Sequence, residues 1–81
     1  MSVRADDDGT LRLEGQGTLE DAEILLRHLC VDPQAGVDWS GCEQAHTAVV
    51  QVLMACKARV IGTPADAFLR RFVAGLFEAA E

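Results

Sequence analysis

Two short runs of alternating apolar and polar residues flank the cluster Asp6-Asp7-Asp8-Gly9, and this commits the N-terminus to a β-hairpin. Ser2-Val3-Arg4-Ala5 leads into the turn and Thr10-Leu11-Arg12-Leu13-Glu14 leads out of it. The Asp-Gly pair supplies the positive φ that a tight turn between strands requires. Period-two alternation then places Val3, Ala5, Leu11 and Leu13 on one face. An isolated hairpin is marginal in water, so later segments of the chain must cover that face. A chain of 81 residues has room for one hydrophobic core, and residues 1–81 are read as a single domain.

The cover is legible downstream. Gly15-Gln16-Gly17 breaks the alternation, and Thr18, with Asp21 three residues on, reads as a helix cap. Leu19, Ala22, Leu25, Leu26 and Leu29 recur at helical spacing over residues 19–30, and Asp32-Pro33-Gln34-Ala35-Gly36 ends the helix. Val37-Asp38-Trp39-Ser40 alternates again, with Val37 and Trp39 facing inward, and Cys42-Glu43-Gln44-Ala45-His46 reads as a polar connection. Thr47 to Cys56 is apolar except for Gln51; periodicity alone also allows a buried strand, but length and the polar lead favour a helix. Ala58-Arg59-Val60-Ile61 is a short strand closed by Gly62. Thr63-Pro64-Ala65-Asp66 then predicts a helix start with Thr63 as cap and Pro64 in the first turn. Ala65, Phe68, Leu69, Phe72, Val73 and Leu76 would form the apolar stripe of that last helix.

The expected fold is therefore α/β in the order β-β-α-β-α-β-α, a small four-stranded mixed sheet with three helices mainly on one face. Each β-α-β crossover is expected to be right-handed. Strands covered on both sides read as continuous apolar runs, whereas these carry polar residues at alternate positions, so one sheet face should lie open to water or a partner.

Composition narrows the function. A formal charge of −6 repels phosphate and argues against nucleic acid. No apolar run approaches the roughly 20 residues that cross a bilayer, and Met1-Ser2-Val3-Arg4-Ala5 lacks a signal-peptide centre, so a cytoplasmic location without membrane insertion is expected. Cys30, Cys42 and Cys56 form no CxxC, and His28 and His46 stand at no zinc spacing. No metal or cofactor is expected, and all three cysteines are read as small buried apolar residues.

Catalytic motifs are absent: there is no phosphate-binding glycine loop and no nucleophile elbow. Asp38, Ser40, His46 and Thr47 are close in sequence, but a triad needs geometry that sequence proximity does not supply, so no enzyme is expected. Thr47 is the informative member. At a helix start its hydroxyl would lie at the positive end of the helix dipole, where a phosphate would be favoured. The plain alternative is a capping hydroxyl worth about 1 kcal/mol.

The run from Val37 to Leu53, containing Val37-Asp38-Trp39-Ser40-Gly41 and then His46-Thr47-Ala48, resembles the signature of STAS domains, the sulphate transporter and anti-sigma-factor antagonist family. Gly62-Thr63-Pro64-Ala65 and the helix after it look like that family's closing strand and helix, and the likeness extends from Leu11 to about Phe77. The resemblance implies a protein-binding regulatory module. Thr47 falls on the residue that a kinase phosphorylates in anti-sigma-factor antagonists, whose unphosphorylated form binds a kinase-like anti-sigma factor. Asp38, Ser40, Gly41, His46, Thr47, Val49 and Val50 are then the implied partner-binding set. His46 stands where the family often has aspartate and Val49 where it often has glycine, a change expected to bring apolar bulk near the docking surface. A second branch of the family implies an accessory subunit of a phospholipid-transport ABC assembly, docking through the same threonine without phosphate. The apolar second helix and open sheet face also allow a homodimer.

Overall fold

The structure, a computed structural model, describes residues 2–73 and Gly75. β1 (Ser2–Ala5) and β2 (Leu11–Gly17) form the hairpin, antiparallel, with Val3 opposite Leu13 and Ala5 opposite Leu11. Gly9 adopts a φ of 87°, as the turn demands, and Asp8 Oδ1 accepts the Thr10 N–H at 2.9 Å. α1 (Leu19–Val31) begins in a reciprocal capping box: Thr18 Oγ1 accepts the Asp21 N–H while the Asp21 carboxylate accepts the Thr18 N–H. Those bonds let Asp21 be buried beside Ala22, Leu25 and Leu29.

β3 (Gly36–Ala45) is ten residues long, so the polar connection expected at Cys42–His46 is in fact strand as far as Ala45. The difference has a simple cause. β2 also continues through the glycines to Gly17, and the two extensions pair with each other, Gly15 with Cys42 and Gly17 with Ala45. Two register shifts absorb the irregularity, with Gly15 at a φ of 77°. α2 (Thr47–Ala55) buries Val49 and Leu53. It ends with Lys57 in the left-handed region at a φ of 51°, where the Lys57 and Ala58 N–H groups reach back to the Met54 and Leu53 carbonyls. β4 (Arg59–Ile61) comes directly after.

The sheet order is β1-β2-β3-β4, with β2, β3 and β4 mutually parallel, giving the expected four-stranded mixed α/β sheet. Leu11, Leu13, Val37, Trp39 and Cys42 project from it into one core with α1 and α2. Trp39 also donates its indole N–H to the Gly62 carbonyl at 3.0 Å, which fixes the exit of β4. Among the described residues no helix is long and apolar enough to cross a membrane.

The last element departs from expectation. The last helix begins at Ala67 and not at Thr63 and Pro64, and it takes the π-helical form over Leu69–Val73. Pro64 is fully buried, so the chain spends it on the core. Asp66 takes over the capping role, accepting the Phe68 N–H at 2.6 Å and the Leu69 N–H at 3.1 Å, while its own N–H donates to the Cys42 carbonyl. Leu69 and Val73 are buried as the stripe implies, but Ala65 and Phe68 are exposed. The Phe72 side chain and Leu76 lie outside the described residues. Of the cysteines only Cys42 is fully buried; Cys56 is half-buried and Cys30 is exposed, contrary to the reading of all three as interior.

Candidate functional site

α2 begins where β3 runs out. The His46 N–H donates to the Gly17 carbonyl at 2.8 Å, which ties the start of α2 to the end of β2, one residue before Thr18 opens α1. The two helix N-termini therefore sit side by side at the carboxyl end of the parallel strands, the usual location of sites in open α/β sheets. His46, not Thr47, is the cap. Its Nδ1 accepts the Ala48 N–H at 2.9 Å and its carbonyl accepts the Val49 N–H. An imidazole that accepts through Nδ1 is deprotonated there, so a neutral His46 carries its proton on Nε2.

With capping done by its neighbour, Thr47 is left as the first helical residue, exposed, its hydroxyl without a hydrogen-bond partner among the described residues. No acidic residue lies in the first turn of α2 to compete for the positive helix end. Leu19, 55% exposed, stands at the start of the neighbouring α1, and Gln51 and the half-exposed Met54 follow Thr47 one and two turns along the same stripe of α2. Sequence reasoning misses Leu19 and Met54. A leucine directly after a helix cap, with the buried stripe starting only at Asp21 and Ala22, is the available signal for the first.

The sequence-predicted set divides. His46 and Thr47 are together at the surface, with Val50 half-buried beside them. Val49 is 1% exposed and belongs to the core, so it does not bring the expected apolar bulk to the surface; the exposed apolar side chains at this end are Leu19 and, along α2, Met54. Asp38, Ser40 and Gly41 lie elsewhere, on the open face of the sheet. Seven residues of strand lie between Asp38 and His46, eight steps or roughly 25 Å at ~3.3 Å per residue, so the two groups share no pocket. Asp38, His46 and Thr47 therefore do not assemble as a catalytic triad.

On the open face Asp38 has a structural setting. One carboxylate oxygen accepts the Ser40 N–H at 2.9 Å and the Ser40 hydroxyl at 2.7 Å, and the other takes Arg12 Nη1 at 2.8 Å. These bonds, Ser40's first and Arg12's charge after them, hold the Asp38 carboxyl below its ordinary value. Arg12 bridges onward to Asp6 in the hairpin, so the guanidinium joins the hairpin to β3. Gly41 sits opposite Glu14, whose Cγ lies 3.2 Å from where a Cβ would be. Gly62, at a φ of 83°, closes over Asp38 and Ser40 with the same 3.2 Å clearance. The Asp-x-Ser-Gly run thus fastens the sheet.

Burial raises the Cys42 thiol, which donates to the Gln44 carbonyl and is not a nucleophile in waiting. Among the described residues no cluster of three histidine, cysteine or acidic side chains could hold a metal ion. Comparison with protein-family models, with curated proteins and with solved structures finds no match to this chain.

Proposed function

We propose that this chain is a protein-docking regulatory domain that meets its partner through the start of α2. The exposed, unbonded Thr47 hydroxyl at a helix N-terminus already capped by His46 carries this reading. A capping threonine would have its oxygen engaged; this one is free for a partner or a phosphate. A phosphate there would add nearly two negative charges at the positive helix end and reverse the sign of the local field. Leu19 and Met54 give the surrounding surface the apolar contact area that protein interfaces need at their centre. The STAS-like spacing makes the partner a kinase-like anti-sigma factor, with the domain working in the cytoplasm and Thr47 as the switch.

A second reading uses the same surface without phosphate, as an accessory subunit of a phospholipid-transport ABC assembly; the Thr47-Ala48 pair favours it. Intact-mass measurement of the full chain purified from its native host separates the two, a phosphate adduct supporting the switch. For docking itself, the partner recovered with the wild-type chain is titrated with Thr47→Glu and Thr47→Ala. The glutamate is expected to weaken binding about ten-fold or more and the alanine far less. Equal and negligible effects would remove Thr47 from the interface.

A further inference from the structure

The opposite end of the molecule carries a second surface. Between the hairpin and the last turns of α1 lies a groove of about 490 Å³ whose walls are Ala5, Leu11, Ile24, Val31 and Ala35. That volume is within the range of ligand-binding clefts. Val31 is 87% exposed and Ile24 37%, so the groove leaves large apolar side chains facing water. One wall ends in a free sheet edge. Among the described residues β1 pairs only with β2, so the outward N–H and C=O groups of its other side await a strand.

The surroundings are acidic. Gly9 lines the groove, and the hairpin turn it belongs to carries Asp6, Asp7 and Asp8. Arg12 neutralises Asp6, but Asp7 and Asp8 form no ion pair among the described residues, and the Thr10 N–H and hydroxyl hold Asp8 in its ionised form. Asp32 stands on the rim at the carboxyl end of α1, where the helix dipole is itself negative. Against these stand Arg27, exposed on the rim four residues after Glu23, and His28.

We infer that this groove and the free edge of β1 form a docking site for an extended, basic segment of a partner protein, which adds a strand to the sheet and sets alternate apolar side chains against Ile24 and Val31. Backbone pairing along β1 supplies affinity, and the groove selects apolar residues at every second position. The aspartates of the turn and Asp32 select lysine or arginine beside them. The site is independent of Thr47, so the domain can hold two partners at opposite ends of the sheet.

The test uses the full chain labelled with nitrogen-15 and two blocked hexapeptides, one alternating valine with lysine and one alternating valine with glutamate. The lysine peptide is expected to move the amide signals of Val3–Ala5, Leu11 and Val31–Ala35 and to slow hydrogen exchange along β1. It should bind about ten-fold more tightly than the glutamate peptide. Asp7→Lys, at an exposed turn position with no hydrogen bond to lose among the described residues, should narrow that preference. Equal affinity for the two peptides, binding of neither at millimolar concentration, or shifts confined to the start of α2 would overturn the proposal. So would groove signals that move with protein concentration alone, which would assign the surface to a second copy of this chain.

Discussion

On the helix-covered face of the sheet, Leu11, Leu13, Val37, Trp39 and Cys42 are each no more than 2% exposed, whereas the open face is a ladder of charges running Arg4–Glu14 and Asp6–Arg12–Asp38. The strands are the same, and side-chain alternation decides which regime a residue belongs to, the register shift between Arg12 and Glu14 turning Cys42 to the covered side. The covered face gains from removing apolar area from water, at about 25 cal/mol per Å². The open face works in high dielectric, where an exposed ion pair contributes little beyond register. Cohesion therefore comes from one side of the sheet. The other side sets how the hairpin sits against β3 and leaves the backbone covered by charge.

The contrast can be broken from its strong side first. Leu53→Ala, beneath α2 and fully buried, is expected to cost about 2–5 kcal/mol, a large share of what a domain this small possesses. Chemical denaturation should show the midpoint collapsing, and a loss below about 1 kcal/mol would mean the core repacks. A smaller effect is expected from Asp38→Asn, which weakens the bonds to Ser40 and Arg12 and should cost about 1 kcal/mol. The same carboxylate has a pH signature. Its folded value lies below the ordinary carboxylate value of about 3.9, so its contribution is fully present above that pH and is lost as pH falls through the folded value. Thermal melts between neutral and acidic pH should show the wild-type chain losing more stability than Asp38→Asn does. Smallest of all is Arg4→Ala. Its bridge to Glu14 joins two largely exposed side chains, and the melting temperature should not move measurably. A clear loss there would show the open face to be cohesive after all.

The legibility of the fold in the sequence divides along a similar line. The hairpin, the Thr18–Asp21 cap and the inward Val37 and Trp39 are legible because each depends on residues close in sequence. What escapes depends on distant pairing. Nothing in Cys42-Glu43-Gln44 announces a strand until Gly15-Gln16-Gly17 is seen lying beside it, and two breaks in pattern turn out to be one pair of partners. Thr63-Pro64 is a good helix start locally, but the core claims Pro64 and Asp66 inherits the cap. At the site, the pattern places Thr47 correctly at a helix start. It does not show that the imidazole of the preceding residue does the capping and leaves the hydroxyl free. The resemblance puts Val49 at the surface because it carries positions, whereas the facing side of a helix is decided by what it packs on.

Strand order has a kinetic consequence. In the order β1-β2-β3-β4 every strand is laid against the one made just before it, and no later segment must be inserted between two earlier ones. Loop closures stay short, so the chain can acquire its sheet in the order of synthesis, the hairpin forming first and each helix arriving with the next strand. The newest strand is then always the growing edge of the sheet.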